Sequence, residues 1–365
     1  MQNFTEVQFR FLSTFKKFLL GEDSFSNRKN NWNVIRLFCA VAVIYGHSFG
    51  MFPSPGEQDI SISLLTKGIT YSGQIAVIVF FFLSGALVTK SYVENTTLEY
   101  LAKRIGRIFP ALIVALLATV LLVQPLFSSK FSASESSRYF LKNLLNIENE
   151  FYIDGLFSDH PFTAVNGALW TIPNEIRCYL FVIIIGTLAG RNKQSGLVVL
   201  QILTVFYLLK DPASLPLIGS SNQLLGNGLF VVNSLFFTLG SLFWLLRGHL
   251  LRGELYLVVS LAIYYYWTHN PQRLFVFLTS VVLFTVFLST SSILRRIRLK
   301  GDYSYGLYLY GWPSSQIVYE LMGNIGPAWG FCMSLLIAIP AAVVSWWVVE
   351  KPFLKFVNGF AVVRT

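Results

Sequence analysis

The sequence predicts an all-α polytopic membrane protein, a bundle of about ten transmembrane helices with an N-terminal interfacial helix. Composition is the first reason: of 365 residues, 54% are hydrophobic and 13% charged, where a soluble domain carries about 25% charge. Recurrence is the second. Apolar runs of about the length that crosses a bilayer fall at 33–52, 74–93, 105–127, 168–189, 197–210, 229–246, 254–268, 272–290, 303–321 and 328–349. Charge placement is the third. With the N-terminus inside, 21 of the 28 Lys and Arg lie on the cytoplasmic side and 6 outside, and Arg177 lies within a span. The positive-inside rule then puts both termini in the cytoplasm. The net charge of +10 is thereby a topology signal, and no nucleic-acid partner is expected.

Residues 1–30 form a cytoplasmic interfacial segment and linker. Phe4, Val7, Phe11, Phe15 and Phe18 share one helical stripe opposite Arg10, Lys16 and Lys17, the pattern of a helix lying in the membrane surface. No cleavable leader precedes the first span, which should act as an uncleaved anchor. That span carries Arg36 and His47, eleven residues apart. Eleven positions return to within about 20° of one helix face and climb roughly 16 Å. Ionisable groups at such depth face a protein interior or wet cavity and mark chemistry or transport. The plainer alternative is a packed histidine and a snorkelling arginine.

Span three opens with AKRIGRIFP, which puts Arg104 and Arg107 on one face at the inner boundary. Two planar guanidiniums so placed suit a phosphate, although basic flanking alone also explains the spacing. The stretch 128–166 is the longest one outside the spans, and a loop of that length is expected to cover an outward-facing cavity. Span four opens with NGALWTIPNEIRCYL. Counted inward from its outer end, Glu175 lies about 10 Å deep, near the depth counted for His47. The two form a candidate acid/base pair; a buried structural pair, Glu175–Arg177 or Glu175–His47, is the alternative. Span nine packs Tyr303, Tyr305, Tyr308, Tyr310 and Trp312 close together, usually a structural feature but also one that suits carbohydrate. Glu350, Lys351 and Pro352 read as the ending and anchor of span ten. Cys39, Cys178 and Cys332 lie in three different spans with no metal or redox spacing, so no metal site is expected.

In chain order, these pieces resemble the membrane acyltransferase 3 family, which O-acylates surface glycans. The matching residues are Arg36 and His47, FFFLSGALVTKSY in span two, RIGRIFP, NGALWTIPNEIRCYL, SYGLYLYGWP and the closing VEKPF. The match runs over nearly the whole domain, 31–355, with 356–365 as a cytoplasmic tail. The NGALW-PNE-CYL run looks most like the branch that modifies exopolysaccharides and lipochitooligosaccharides. The resemblance implies a cytoplasmic acyl-CoA co-substrate, most commonly acetyl-CoA, and an extracytoplasmic glycan or lipid-linked sugar acceptor. It implies a bacterial inner-membrane enzyme with His47 and Glu175 catalytic and with Arg36, Arg104 and Arg107 holding the donor. Trp170, Asn174, Tyr308, Tyr310 and Trp312 are then the candidate acceptor contacts. One departure stands out: many members carry a histidine where this chain has Gly311. The rival readings are a transporter or flippase of lipid-linked oligosaccharides, or a glycan polymerase.

Overall fold

The computed structural model describes residues 31–128, 130–146, 148–190, 193–209, 227–247, 253–269, 274–292 and 294–362. The interfacial segment expected over 1–30 lies outside them. Among the described residues there is no strand. Among the described residues a helix overlaps each of the ten apolar segments: α1 (Trp32–Met51), α2 (Ser72–Glu94), α3 (Thr97–Phe127), α5 (Thr171–Leu188), α6 (Lys193–Leu209), α7 (Asn227–Leu245), α8 (Gly253–His269), α9 (Leu274–Thr290), α10 (Ser304–Met322) and α11 (Pro327–Ser345). Two more helices are α4 (Ala133–Leu145), in the long loop, and α12 (Lys351–Val362), which follows α11 through a π turn at Trp346–Glu350. Five helical stretches, Trp32–Met51, Ser72–Glu94, Thr97–Phe127, Gly167–Leu188 and Pro327–Gly359, are long and apolar enough to cross a membrane. The protein is an all-helical membrane protein.

Apolar side chains gain nothing by leaving lipid for one another, so close backbone packing between small residues holds such helices together. At the crossing of α2 and α7, a Cβ on Gly85 would run into the Phe237 carbonyl, and one on Gly240 into that of Phe82. One turn on, the Thr89 hydroxyl donates to Ser241 at 2.6 Å, and Gln201 of α6 donates to the same oxygen at 2.9 Å. Asn31 joins the start of α1 to the end of α9 through Nδ2 bonds of 2.7 Å to the Leu288 and Ser291 carbonyls.

Two boundaries differ from the sequence reading in ways that bear on the site. Helix α3 begins at Thr97 instead of 105, because Thr96 and Glu99 form a reciprocal capping box. Arg104 and Arg107 therefore sit two turns inside a helix. The chain also does not stop at Glu350: helical structure continues through it into α12.

The long loop is tightly structured. Asn143 of α4 accepts from the Glu150 amide and donates to its carbonyl, and Arg138 pairs with Glu150 at 3.2 Å. Beyond that, the loop lies directly along α10. Gln316 donates to the Phe162 and Ala164 carbonyls, both at 2.7 Å, Trp312 Nε1 donates to Ala164 at 2.8 Å, and Asn166 donates to the Leu309 carbonyl at 3.0 Å. The loop was expected to cover an outward-facing cavity. It packs onto α10, and the cavity lined by Arg36, Arg104 and Glu175 lies toward the other end of that helix.

Candidate functional site

A cavity of about 310 Å³ runs between α1, α2, α3, α5 and α10, with Leu354 and Asn358 of α12 at one end. It brings together Arg36, Arg104, Arg107, Glu175 and Tyr308 among the residues singled out from sequence, and adds Lys103, Ser84 and Tyr179. His47, Trp170, Asn174, Tyr310 and Trp312 do not line it.

The arginines divide into two kinds. Arg36 Nη1 and Arg107 Nη2 both reach Asp302 Oδ2 at 2.8 Å, and Arg107 Nη1 reaches Glu350 Oε2 at 3.3 Å. The other oxygens of these acids accept from Ser304 at 2.6 Å and Ser345 at 3.2 Å. Burial opposes charge on Asp302, but Arg107 and Arg36, helped by Ser304, outweigh it and hold the carboxyl down to about 2. Among the described residues Arg104 is in no ion pair. Its guanidinium lies over the Tyr179 and Tyr100 rings at 5.5 and 5.9 Å, and its buried Nε has no hydrogen-bond partner. Arg104 and Arg107 lie on one helix as expected but differ in surroundings: Arg107 and Arg36 are ion-paired to acids, and Arg104 stacks on two tyrosines.

Sequence reasoning did not find Asp302, and it read Glu350 as a helix end. The usable signal was an acid immediately beside each of the last two spans, within otherwise basic flanks. Glu350 is 1% exposed, a burial a carboxylate tolerates only with a partner such as Arg107.

Glu175 accepts hydrogen bonds from Tyr179 and from Ser84 at 3.3 Å. It does not meet His47, and the proposed pair is corrected. His47 packs edge-on to Trp312 at 4.7 Å between ring centroids and lies 6.2 Å from Tyr71. Helix α10 serves as a ruler between them. Trp312 is level with His47, while Tyr308, one turn back, hydrogen-bonds Thr171 at 2.7 Å. Glu175 lies a further turn in that direction along α5, so about two turns, roughly 11 Å, separate it from His47. The depth count failed because the chain is already inside the bundle at Ala164 and Asn166. In addition, Gly167–Trp170 form a 3-10 turn, which climbs about 2.0 Å per residue rather than 1.5.

The remaining candidates lie outside this cavity. Trp170 packs on the central core, Asn174 is buried and accepts from Arg177 at 3.3 Å, and Tyr310 lies toward Ser345 of α11. Arg177 bonds Asn174 and stacks over Phe230 at 5.6 Å. At Gly311, a Cβ would sit 2.5 Å from Ile44 Cγ1, so a histidine there would collide with α1. A second imidazole does occur elsewhere. His160 is held by Gln316 at 2.7 Å and Glu320 at 2.8 Å and stacks on Phe157, fastening the long loop to α10.

The model of a family described as an acyltransferase domain, acyltransferase 3, matches residues 29–350. An O-acetyl transferase of Shigella phage Sf6 is similar at 28% identity over 347 residues, covering 90% of this chain and 97% of the relative. Nodulation protein 10 of Rhizobium leguminosarum bv. viciae is similar at 25% identity over 369 residues, covering 90% of this chain and 94% of the relative. No solved structure matches the chain. Transport and polymerisation give way to acyl transfer on these matches. The chain belongs to the acyltransferase 3 family and is a membrane enzyme that transfers acyl groups.

Proposed function

We propose that the protein takes an acyl group, most commonly acetyl, from cytoplasmic acyl-CoA and transfers it to a sugar hydroxyl of an extracytoplasmic glycan or glycolipid. The observation that carries this reading is Arg104, in no ion pair among the described residues and with its buried Nε unbonded, at the polar end of a cavity that leads toward His47. A phosphate satisfies such a guanidinium as a carboxylate would, and Lys103 lines the cavity beside it. The topology that fits has ten spans in a bacterial inner membrane, with both termini and the arginines cytoplasmic.

Arg36 and His47 share one face of α1 about 16 Å apart, a span comparable to a pantetheine arm. With the nucleotide phosphates on Arg104, the thioester reaches toward the imidazole. His47 takes the proton from the acceptor hydroxyl as that oxygen bonds to the thioester carbonyl. The carbon–sulfur bond then breaks, the proton passes to the departing thiolate, and the products are an O-acyl ester and free CoA. Neither His47 nitrogen is engaged in a hydrogen bond among the described residues, which leaves a lone pair for this role. Trp312 and Tyr71 border the imidazole on the acceptor side. The O-acetyl transferase name of the phage relative supports acetyl as the group.

Two measurements test the reading. Membrane vesicles containing the protein should consume acetyl-CoA, and mass analysis of surface glycan should show an ester in cells with the intact gene that is missing in cells without it. Glycan of unchanged mass in cells without the gene would overturn it.

A further inference from the structure

We propose that Phe80, set against Tyr308, closes the cavity just short of His47 and limits the size of the acyl group transferred. This rests on the donor reading above and names a determinant within it.

The cavity stops at one level on α10, α5 and α1, and on α2 it ends at Val77, less than one turn beyond Phe80. On α10 it is lined by Ser304, Tyr305 and Tyr308 but not by Trp312. On α5 it ends at Thr171, the residue level with Tyr308, and on α1 only Arg36 reaches it. His47 lies one turn beyond that level, against Trp312. Tyr308 and Phe80 occupy the boundary.

The two rings are held differently. The Tyr308 hydroxyl bonds the Ala168 carbonyl at 2.9 Å and Thr171 at 2.7 Å, so the ring cannot swing without losing buried hydrogen bonds. Phe80 is held by packing alone. It meets Tyr308 edge-on at 5.9 Å and packs against the cluster formed by Ala40 and Ile44 of α1 with Leu307, Ala338 and Ala342. Ala40 and Ile44 lie between Arg36 and His47 along the helix. An acyl group travelling from the arginines to the imidazole along α1 therefore passes Phe80, while the tyrosine forms the fixed opposite wall. Each added methylene must fit in that gap, and hydrophobic pockets discriminate a single methylene by about 10- to 200-fold.

The test uses vesicles that retain the surface glycan, supplied with labelled acetyl-CoA, propionyl-CoA or butyryl-CoA, and reads label in the glycan. Wild-type protein should favour acetyl strongly over butyryl. Phe80→Ala should reduce that preference by at least about 10-fold. Phe80→Leu, which keeps more of the packing, should reduce it by less and guards against loss of fold in the alanine variant. A folded Phe80→Ala or Phe80→Leu protein with the wild-type acetyl-to-butyryl ratio overturns this inference and leaves the donor reading intact. Wild-type vesicles that incorporate label from none of the three overturn both.

Discussion

Arg36 and His47 ride on one helix, but their surroundings are built in opposite ways. At the Arg36 end, two arginines and two carboxylates lock together within 2.8 to 3.3 Å, and Arg104 is left over. At the His47 end the imidazole is bordered by Trp312 and Tyr71, and the Asp59 carboxylate accepts from the neighbouring Ser72 at 2.6 Å. Buried opposite charges tolerate desolvation only when closely paired, so the first region is a rigid electrostatic frame with one cation to spare. The second is largely aromatic. On the proposed reading, binding of the anionic donor and proton transfer at His47 are kept apart, with the Phe80–Tyr308 boundary between them.

The sharpest way to break this contrast is to remove the shared acid. Asp302→Ala leaves Arg36 and Arg107 without the oxygen that both use, and their side chains are only 17% and 13% exposed. Loss of one member of a buried pair costs about 3–5 kcal/mol, so thermal unfolding in detergent should shift far downward. Wild-type stability in that variant would mean the frame is ornamental. At the other end, His47→Ala should fold and bind acyl-CoA but lose transfer by at least about 10²-fold. Normal glycan acylation by this variant would falsify the division of roles.

The arginines should separate in the same manner. Arg104→Ala is expected to weaken acyl-CoA binding by about 1.5–3 kcal/mol, the worth of hydrogen bonds to a charged group, with stability largely kept. Arg107→Ala should lose stability first, because it strands Glu350. Equal losses of both properties in the two variants would erase the distinction drawn here.

The smallest effect is one of pH. The folded Asp302 carboxyl titrates at about 2, below the ordinary value of 3.8. Its stabilising contribution is thus full above about pH 4 and is lost as the pH falls through 2. The stability gap between wild type and Asp302→Asn should be constant from pH 5 to 8 and close between 4 and 2. A gap that narrows near neutral pH would place the titrating group elsewhere.

Much of this protein was determined by sequence alone. Composition and apolar runs prescribe a helical membrane protein, since no other structure satisfies the backbone of such segments in lipid. Helical periodicity likewise places Arg36 and His47 on one helix and the Arg104–Arg107 spacing on another. The order of motifs leads to the family. Only the tertiary structure decided which charges meet. Arg36 and Asp302 are 266 positions apart, and Arg107 and Glu350 are 243 apart, and no local rule links residues across separate helices. The same holds for depth. Glu175 was placed beside His47 by counting along a single span, but the loop before it had already descended along α10 to meet Trp312 and Gln316. A helix specifies rise and face from its own residues, whereas the level at which it enters the bundle is set by the partners its flanking backbone finds.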